Sequence, residues 1–427
     1  MQEASDALLQ ILPPDQKEQF FMNKYDRITP EGTRDALFAE CTLRRQIENR
    51  LHGLFTARGY SEIITPTLEF YDVFNRDTQP FPMEQMYKLT DAKGRLMVLR
   101  PDNTVPIARV CATRLREAAL PLRLCYNQNI YVISPSLKGR DDEISQAGIE
   151  LIGSDSRMAD LEVIAAAVDA LQACGGEYSL ELGNAAFFRE LMAGLPADDA
   201  KKQMIRDCIE SKNYPALNDL LDAVPECDAA KVLRKLPRLF GGEEVFSRAA
   251  ALCTGGKFPE ILEELHTLYT AVTQFAGTNR VRVDLGMMHR TDYYTGMILR
   301  GYLSGYGEEI LSGGRYNKLI AEFGYDVPAT GFAVNIDAAV KVLSRQQGDS
   351  PAAALPVSNV LIWAAKGCEA DAVEAARNLR SKGLIVEHSL TDTLEEAEQY
   401  AAAHGIDSVL PIKIAKAQIQ AAGGKGV

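Results

Sequence analysis

Apolar residues recur at two different spacings along the chain, and the alternation between those spacings outlines its architecture. From Ala36 to Arg58 the residues Leu37, Phe38, Leu43, Ile47, Leu51, Leu54 and Phe55 follow helical spacing, and Gly59 closes the segment. Ser61 to Glu69 reads as an edge or interface strand, since Pro66 removes a ladder donor. Met86 to Leu99 predicts a hairpin around Asp91-Ala-Lys-Gly94, followed by a helix from Val105 to Leu120 with Asp102 or Asn103 as its cap. Leu122 to Gly153 gives two antiparallel strands joined by a polar loop that contains Pro135 and the cluster Lys138 to Asp142. In the second of these strands the period of two puts Gln146, Gly148, Glu150 and Ile152 on one face, and Ala147, Ile149 and Leu151 on the other. A carboxylate and an amide on either side of a glycine form a notch walled by acceptors, suited to a small cationic or polar ligand. Equally, such a face can simply meet solvent.

Beyond this hairpin, Met158 to Ala173 has helical periodicity, and Tyr178 to Leu182 is a further strand. Ala185 to Thr273 shows helical spacing with Pro and Gly breaks and no convincing strand, which predicts an all-helical insertion. Extended structure returns at Arg280 to Leu285, Tyr293 to Leu303 and Glu308 to Ser312. Gly313-Gly-Arg-Tyr316 reads as the start of a short helix, and Val327 to Val334 as a strand leading into a helix from Ile336 to about Ser344. Residues 346–358 form a Gly, Pro and Ala rich linker. After it, strands at Asn359 to Trp363, Leu384 to His388 and Ser408 to Ile412 alternate with helices at Ala370 to Ser381 and Leu394 to His404, the pattern of a small α/β module with parallel pairing. The fold class is α+β. An antiparallel sheet flanked by helices occupies residues 1–184 and 274–345, the helical insertion 185–273, and the α/β module 359–427.

A length of 427 residues fits two or three domains, and 46% hydrophobic with 24% charged residues is a soluble composition. No run of 18 apolar residues occurs, and the N-terminus carries acids where a signal peptide carries bases, so a cytoplasmic location is expected. The eight cysteines include no C-x-x-C pair and have no ligand spacing with the five histidines, which predicts neither a metal site nor a disulfide framework. A net charge of −12 argues against a broad phosphate-tracking surface. Gly305-x-Gly307 and Gly313-Gly314 lack the residues that make a phosphate loop specific, so plain turns are favoured. No Ser-His-acid order, H-E-x-x-H or paired-carboxylate signature stands out. In Asp292-Tyr-Tyr-Thr-Gly296, two adjacent tyrosines on a strand face opposite sides, one for the core and one for whatever lies on the far face. Asp102 and Thr104, at a helix start, suit either capping or an ammonium group.

Taken together, these stretches resemble the histidyl-tRNA synthetase family of class II synthetase folds. Gly59-Tyr-Ser-Glu-Ile-Ile-Thr-Pro-Thr-Leu-Glu69 looks like the dimer-forming first motif, and Leu99-Arg-Pro-Asp-Asn-Thr104 like the family's Leu-Arg-Pro-Glu-x-Thr loop. Lys138-Gly-Arg with Gln146-x-Gly-x-Glu150 looks like the second motif. Asp292-Tyr-Tyr-Thr-Gly296 is similar to the histidine-binding segment, and Gly313-Gly-Arg-Tyr316 with Gly331-Phe-Ala333 to the approach to the third motif.

The departures matter as much as the matches. The second-motif arginine that holds the ATP α-phosphate falls on Val132 and the acid after it on Ser134. The arginine before the tyrosine pair falls on His289, and the third-motif Glu-Arg pair on Asp337 and Ala338. Arginine does this work because it is always charged and donates bidentately to oxyanions. Losing one preorganised donor costs roughly 10²–10³ in rate, so losing three leaves no useful adenylation. By the same resemblance, Asp102, Thr104 and Gln146 would receive the α-amino group of histidine, while Glu150 and Tyr294, with Tyr293, would meet its imidazole. A retained amino-acid pocket without the ATP clamps is similar to the synthetase-like regulatory subunits of ATP phosphoribosyltransferase. That implies a non-catalytic subunit in histidine biosynthesis, with no cofactor, that binds L-histidine and supports a short-form catalytic subunit in an octameric hetero-oligomer. It also implies a homodimer through the first motif, no membrane and no tRNA. A divergent synthetase and a stand-alone histidine sensor are the alternatives.

Overall fold

The computed structural model describes residues 27–76, 81–134, 141–288, 293–346 and 358–413. They fall into two compact units, the larger containing residues 43–346 and the smaller residues 358–413. Helix α1 (Phe38–Thr56), which belongs to the larger unit from Leu43 onward, buries Leu43, Ile47, Leu51 and Phe55 along one stripe, and Gly59, at φ +81°, turns the chain out of it. The single strand expected from Ser61 to Glu69 is instead two short ones, β1 (Ser61–Glu62) and β2 (Leu68–Phe70), because the ladder breaks around Pro66, which has no N–H. Strands β3 (Lys88–Thr90) and β4 (Leu96–Leu99) form the expected hairpin and join β2 in a three-stranded antiparallel sheet.

Helix α2 (Thr104–Thr113) stops well before Leu120. From Thr113 to Leu120 most residues are exposed, so no buried face rewards another turn. Strands β5 (Leu122–Tyr131) and β6 (Glu143–Ile152) pair antiparallel along their whole length, from Leu122 opposite Ile152 to Tyr131 opposite Glu143. Helix α3 (Arg157–Ala173), capped by Ser156, and β7 (Tyr178–Asn184) follow.

The insertion comprises α4 (Ala185–Ala193), α5 (Asp199–Glu210), α6 (Tyr214–Asp222), α7 (Asp228–Lys235), α8 (Glu244–Leu252) and α9 (Phe258–Ala276). It is not wholly helical: β8 (Phe240–Gly241) pairs with β9 (Val281–Asp284) at the sheet's edge. Nor does it have a core of its own, for Leu265, Leu268 and Val272 of α9 join the same apolar cluster as Leu180 and Leu182 of β7 and Ile164 of α3. Strands β10 (Met297–Leu303), β11 (Leu311–Arg315) and β12 (Ala329–Asn335) and helix α10 (Ile336–Gln346) complete the unit. Gly313-Gly-Arg therefore lies in a strand, not at a helix start. Its glycines serve close approach, since a Cβ on Gly313 would collide with the Gly331 carbonyl and with Phe332.

The nine strands order as β1-β5-β6-β12-β11-β10-β7-β9-β8, antiparallel except for the β1/β5 and β7/β9 pairs. One face carries Ala147, Ile149 and Leu151 of β6 against α1 and α3. The opposite face carries Leu124, Tyr126, Ile152 and Ile298 beneath Ile107 and Cys111 of α2.

In the smaller unit, β13 (Val360–Ala364), α11 (Glu369–Arg380), β14 (Val386–His388), α12 (Leu394–His404) and β15 (Ser408–Ile412) give a parallel sheet ordered β14-β13-β15. Ala372 and Ala376 of α11 cluster with Ile362, and Ala397 and Ala401 of α12 with Leu361, so neighbouring β13 residues alternate between the two helices. Among the described residues no helix is long and apolar enough to cross a membrane.

Candidate functional site

The polar face of β6 is not a solvent face. Glu150 is 1% exposed, and both of its carboxylate oxygens are engaged. Thr104, in the first turn of α2, donates its hydroxyl to Oε1 at 2.8 Å, and Tyr316, just past β11, donates its own to Oε2. Burial pushes the Glu150 carboxyl up to about 8; the Tyr316 and Thr104 hydroxyls oppose that rise, and the nearby Asp102 adds to it. Space for the carboxylate comes from glycine. Gly331 lies opposite Glu150 on β12, where a Cβ would run into Glu150 Oε2, and a Cβ on Gly148 would meet the Tyr126 hydroxyl. On β11, a Cβ on Gly314 would press on the Tyr294 ring.

The tyrosine pair departs from the strand geometry expected of it. Tyr293 and Tyr294 precede β10, and the non-extended backbone there releases the two side chains from opposite faces. Both rings are buried in one cluster with centroids 4.8 Å apart, and Tyr293 also meets Tyr316 edge-on at 5.7 Å. The segment is held from three directions: Arg189 of α4 donates to the Tyr294 carbonyl at 2.6 Å, Ala185 N to the Gly296 carbonyl at 2.8 Å, and Thr295 N to the Arg315 carbonyl at 2.6 Å.

At the other end of the site, Asp102 Oδ1 caps α2 by accepting from Val105 N at 2.8 Å, and Tyr293 OH lies 3.5 Å from Oδ2. Desolvation raises the Asp102 carboxyl to about 6 in spite of these donors. Gln146 Oε1 accepts from the Asn103 amide at 3.2 Å. The loop before α2 is anchored by Arg100, buried and donating to the carbonyls of Asn129 and Thr65 and to Gln128 Oε1 at 2.7, 2.7 and 2.8 Å. Asp102, Thr104, Gln146, Glu150, Tyr293 and Tyr294 thus lie in one region. Tyr126 belongs to it too, as do Asn103, expected only as a helix cap, and Tyr316, expected only in a short helix. Reading Gly313 to Tyr316 as a strand would have found Tyr316 by its period of two with Gly314.

The three lost-clamp positions differ in what surrounds them. His289 lies outside the described residues, as does the loop from Lys138 to Arg140. Val132 continues beyond β5, its N–H bonded to the Asp142 carbonyl at 2.8 Å. Ala338 is buried in the first turn of α10, and Asp337 beside it is already engaged, accepting from Ser145 N at 2.7 Å and pairing with Arg44.

This sheet, with α1 and α3 on one face and a carboxylate-floored polar site beneath α2 on the other, defines a protein of class II synthetase-like fold. The sequence profile of the histidyl-tRNA synthetase family matches residues 32–339. The ATP phosphoribosyltransferase regulatory subunit of Clostridium kluyveri is 41% identical over 384 residues, 89% of this chain and 97% of the relative, and that of Bacillus mycoides is 38% identical over 397 residues, 92% and 93% of the two chains. A crystal structure described as an ATP phosphoribosyltransferase regulatory subunit/histidyl-tRNA synthetase from Bacillus halodurans superposes with a TM-score of 0.80 at 29% identity, covering 92% of this chain and 100% of the other. A Nostoc histidyl-tRNA synthetase, 19% identical with a TM-score of 0.71 over 89% and 90% of the chains, shares the fold. The chain belongs to the ATP phosphoribosyltransferase regulatory subunit family, within the wider histidyl-tRNA synthetase family.

Proposed function

We propose that this chain is a non-catalytic regulatory subunit which binds L-histidine in the Glu150 site and confers histidine feedback on a separate, short-form ATP phosphoribosyltransferase catalytic subunit. The observation that carries the reading is the buried acid at the floor of the site: Glu150 is 1% exposed and held by Thr104 and Tyr316. By the family resemblance, Val132 and Ala338 fall on the positions of the phosphate-binding arginines. An imidazole needs an acceptor at one nitrogen and a partner at the other, which Glu150 and the tyrosine hydroxyls offer. Feedback requires histidine to favour one assembly state over another, by a coupling of roughly 1–3 kcal/mol. The reading makes the chain a cytoplasmic partner in a hetero-octamer, dimerised through the region around Ser61 to Glu69, with no role for tRNA.

The test mixes the purified chain with a short-form catalytic subunit from the same organism and follows phosphoribosyl-ATP formation with and without histidine. Activity that depends on this chain and falls with histidine is the expected result. Absence of both stimulation and co-elution refutes the reading, and histidine-dependent exchange of pyrophosphate into ATP by the chain alone would make it a synthetase instead. A second expectation concerns Gly331→Ala. The added methyl meets Glu150 Oε2 and the Ile149 carbonyl, which is backbone and cannot swing aside, so histidine binding measured by calorimetry is expected to fall at least tenfold, together with the unfolding midpoint.

A further inference from the structure

The chain carries 58 acidic and 46 basic side chains, so arginines that find no acid of their own are out of balance with the rest of it. One such group surrounds the turn Ile320–Phe323, which comes after β11 and packs on α2. The Arg76 guanidinium lies over the Phe323 ring, its Cζ 4.4 Å from the centroid, and that of Arg116 over the Tyr325 ring at 5.2 Å. Arg116 Nη1 donates to the Gly324 carbonyl at 3.1 Å, whereas Arg76 Nε is buried with no acceptor. Among the described residues neither guanidinium forms an ion pair, and Asp326, next to Tyr325, lies 3.9 Å from Lys318 instead. Arg114, exposed at the end of α2, adds a third cation. A ring beneath a guanidinium fixes its plane and attracts its charge, while the edge donors stay available to an oxyanion. Two cations held in this way, on rings two residues apart, match carboxylates presented together on a surface. Three arginines are too few to track a nucleic-acid backbone from a chain of net charge −12, so the acidic side chains of a protein are the fitting chemistry.

We infer that Arg76, Arg114 and Arg116, around Phe323 and Tyr325, form the surface on which an acidic patch of the separate catalytic subunit docks. This rests on the regulatory reading above and goes beyond it in naming the face of the chain that meets the partner. Position supports the assignment. The turn runs on from Tyr316, whose hydroxyl donates to Glu150, and Leu319 and Ile320 share one apolar cluster with Tyr316 and with Ile107 and Cys111 of α2, the helix that carries Thr104. A partner seated here bears on both elements that grip the Glu150 carboxylate, and feedback requires one element that both binding events bias.

The full chain is mixed with the short-form catalytic subunit of the same organism, and association is followed by co-elution and by the concentration of chain that gives half-maximal stimulation of phosphoribosyl-ATP formation. Wild type is compared with the double variant Arg76→Glu/Arg116→Glu and with a control of equal charge change, Lys235→Glu/Arg238→Glu, at two exposed cations of the helical insertion. The patch variant is expected to need roughly tenfold more chain or beyond, and the control to stay within about threefold of wild type. Added salt is expected to weaken association of wild type more steeply than that of the patch variant. A cooperative unfolding transition verifies the fold of each chain; if charge reversal abolishes it, Arg76→Gln/Arg116→Gln makes the same comparison, with an expected loss of about threefold. A folded patch variant that associates and stimulates like wild type overturns the inference and leaves the regulatory reading standing, as does a control that fails as badly as the patch variant. A labelled single-stranded RNA bound by wild type and released by the patch variant also overturns it, in favour of nucleic acid. Wild type that neither co-elutes nor stimulates overturns the regulatory reading and the inference with it.

Discussion

Glu150→Gln is expected to remove histidine binding and, above neutrality, to make the ligand-free chain more stable. The two effects share a cause. The carboxyl is buried, and its folded value of about 8 lies well above the 4.5 of an ordinary glutamate. Between those two pH values the folded state keeps a proton that the unfolded state has released, so stability falls as pH rises through the window, by up to about 1.4 kcal/mol per pH unit. The penalty is complete above about pH 8 and absent below about pH 4.5. Glutamine fills the same space, carries no charge and abolishes the dependence. A bound imidazole or ammonium favours the carboxylate, so histidine binding near pH 7 is expected to release a proton, visible as a dependence of the calorimetric enthalpy on the buffer's ionisation heat. With Glu150→Gln, the affinity is expected to drop at least a hundredfold, through lost charge-assisted hydrogen bonds, and the proton release to vanish. Unfolding midpoints of wild type and variant that stay parallel from pH 5 to pH 8.5 would refute the account of Glu150 as a strained buried acid.

Asp160→Ala is expected to cost the larger unit roughly 3–5 kcal/mol in urea or calorimetric unfolding. Arg315, 6% exposed at the end of β11, donates through Nε to both oxygens of Asp160 at 3.0 and 3.2 Å, and its Nη2 lies 2.8 Å from Oδ1. Removing the acid strands a guanidinium that cannot shed its charge. Asp155 at 3.1 Å and the Ser154 carbonyl at 3.0 Å retain Nη1, which puts the loss toward the lower end of that range. The damage should also reach the site, because the Arg315 carbonyl holds Thr295 and its side chain lies against Gly296, next to the tyrosine pair. Replacing both partners by apolar residues of similar volume, Asp160→Leu with Arg315→Met, is expected to recover most of the stability, since it removes the desolvated charges together. A single Asp160→Ala variant as stable as wild type would show that the pair is not the clasp between α3 and the sheet.

The parts of the molecule that follow a period were legible from residue order. Helix α1, strands β5 to β7 and the small parallel unit repeat their apolar positions, and the alternation along β6 by itself puts Glu150 and Gln146 on one face. What failed to show was set by partners far away in the chain. Gly313-Gly looked like a turn because glycine favours turns, whereas here it permits β11 and β12 to approach and leaves room for the Tyr294 ring. Strand geometry predicts opposite faces for Tyr293 and Tyr294, but β10 begins only at Met297 and the backbone before it is not a strand. Residue order offers Asp102 or Asn103 as the helix cap and does not choose between them; it is the Asp102 carboxylate that accepts from Val105 N. Whether the polar face of β6 met solvent or protein depended on α2 and on Tyr316, which lie 46 residues before and 166 residues after Glu150.

The order of the strands has a consequence for how the protein is made. β12 is the last strand of the large sheet to leave the ribosome, yet it lies at the centre, between β6 and β11. Until residue 335 or so has emerged, the sheet can exist only as two arcs, β1-β5-β6 and β11-β10-β7-β9-β8, each with a bare inner edge. Glu150 stands on one of those edges and Gly314 on the other, and Gly331 arrives with the strand that joins them. The pocket is thus completed only when β12 is added, and a nascent chain that stalls or is clipped before β12 presents two sticky half-sheets and no binding site.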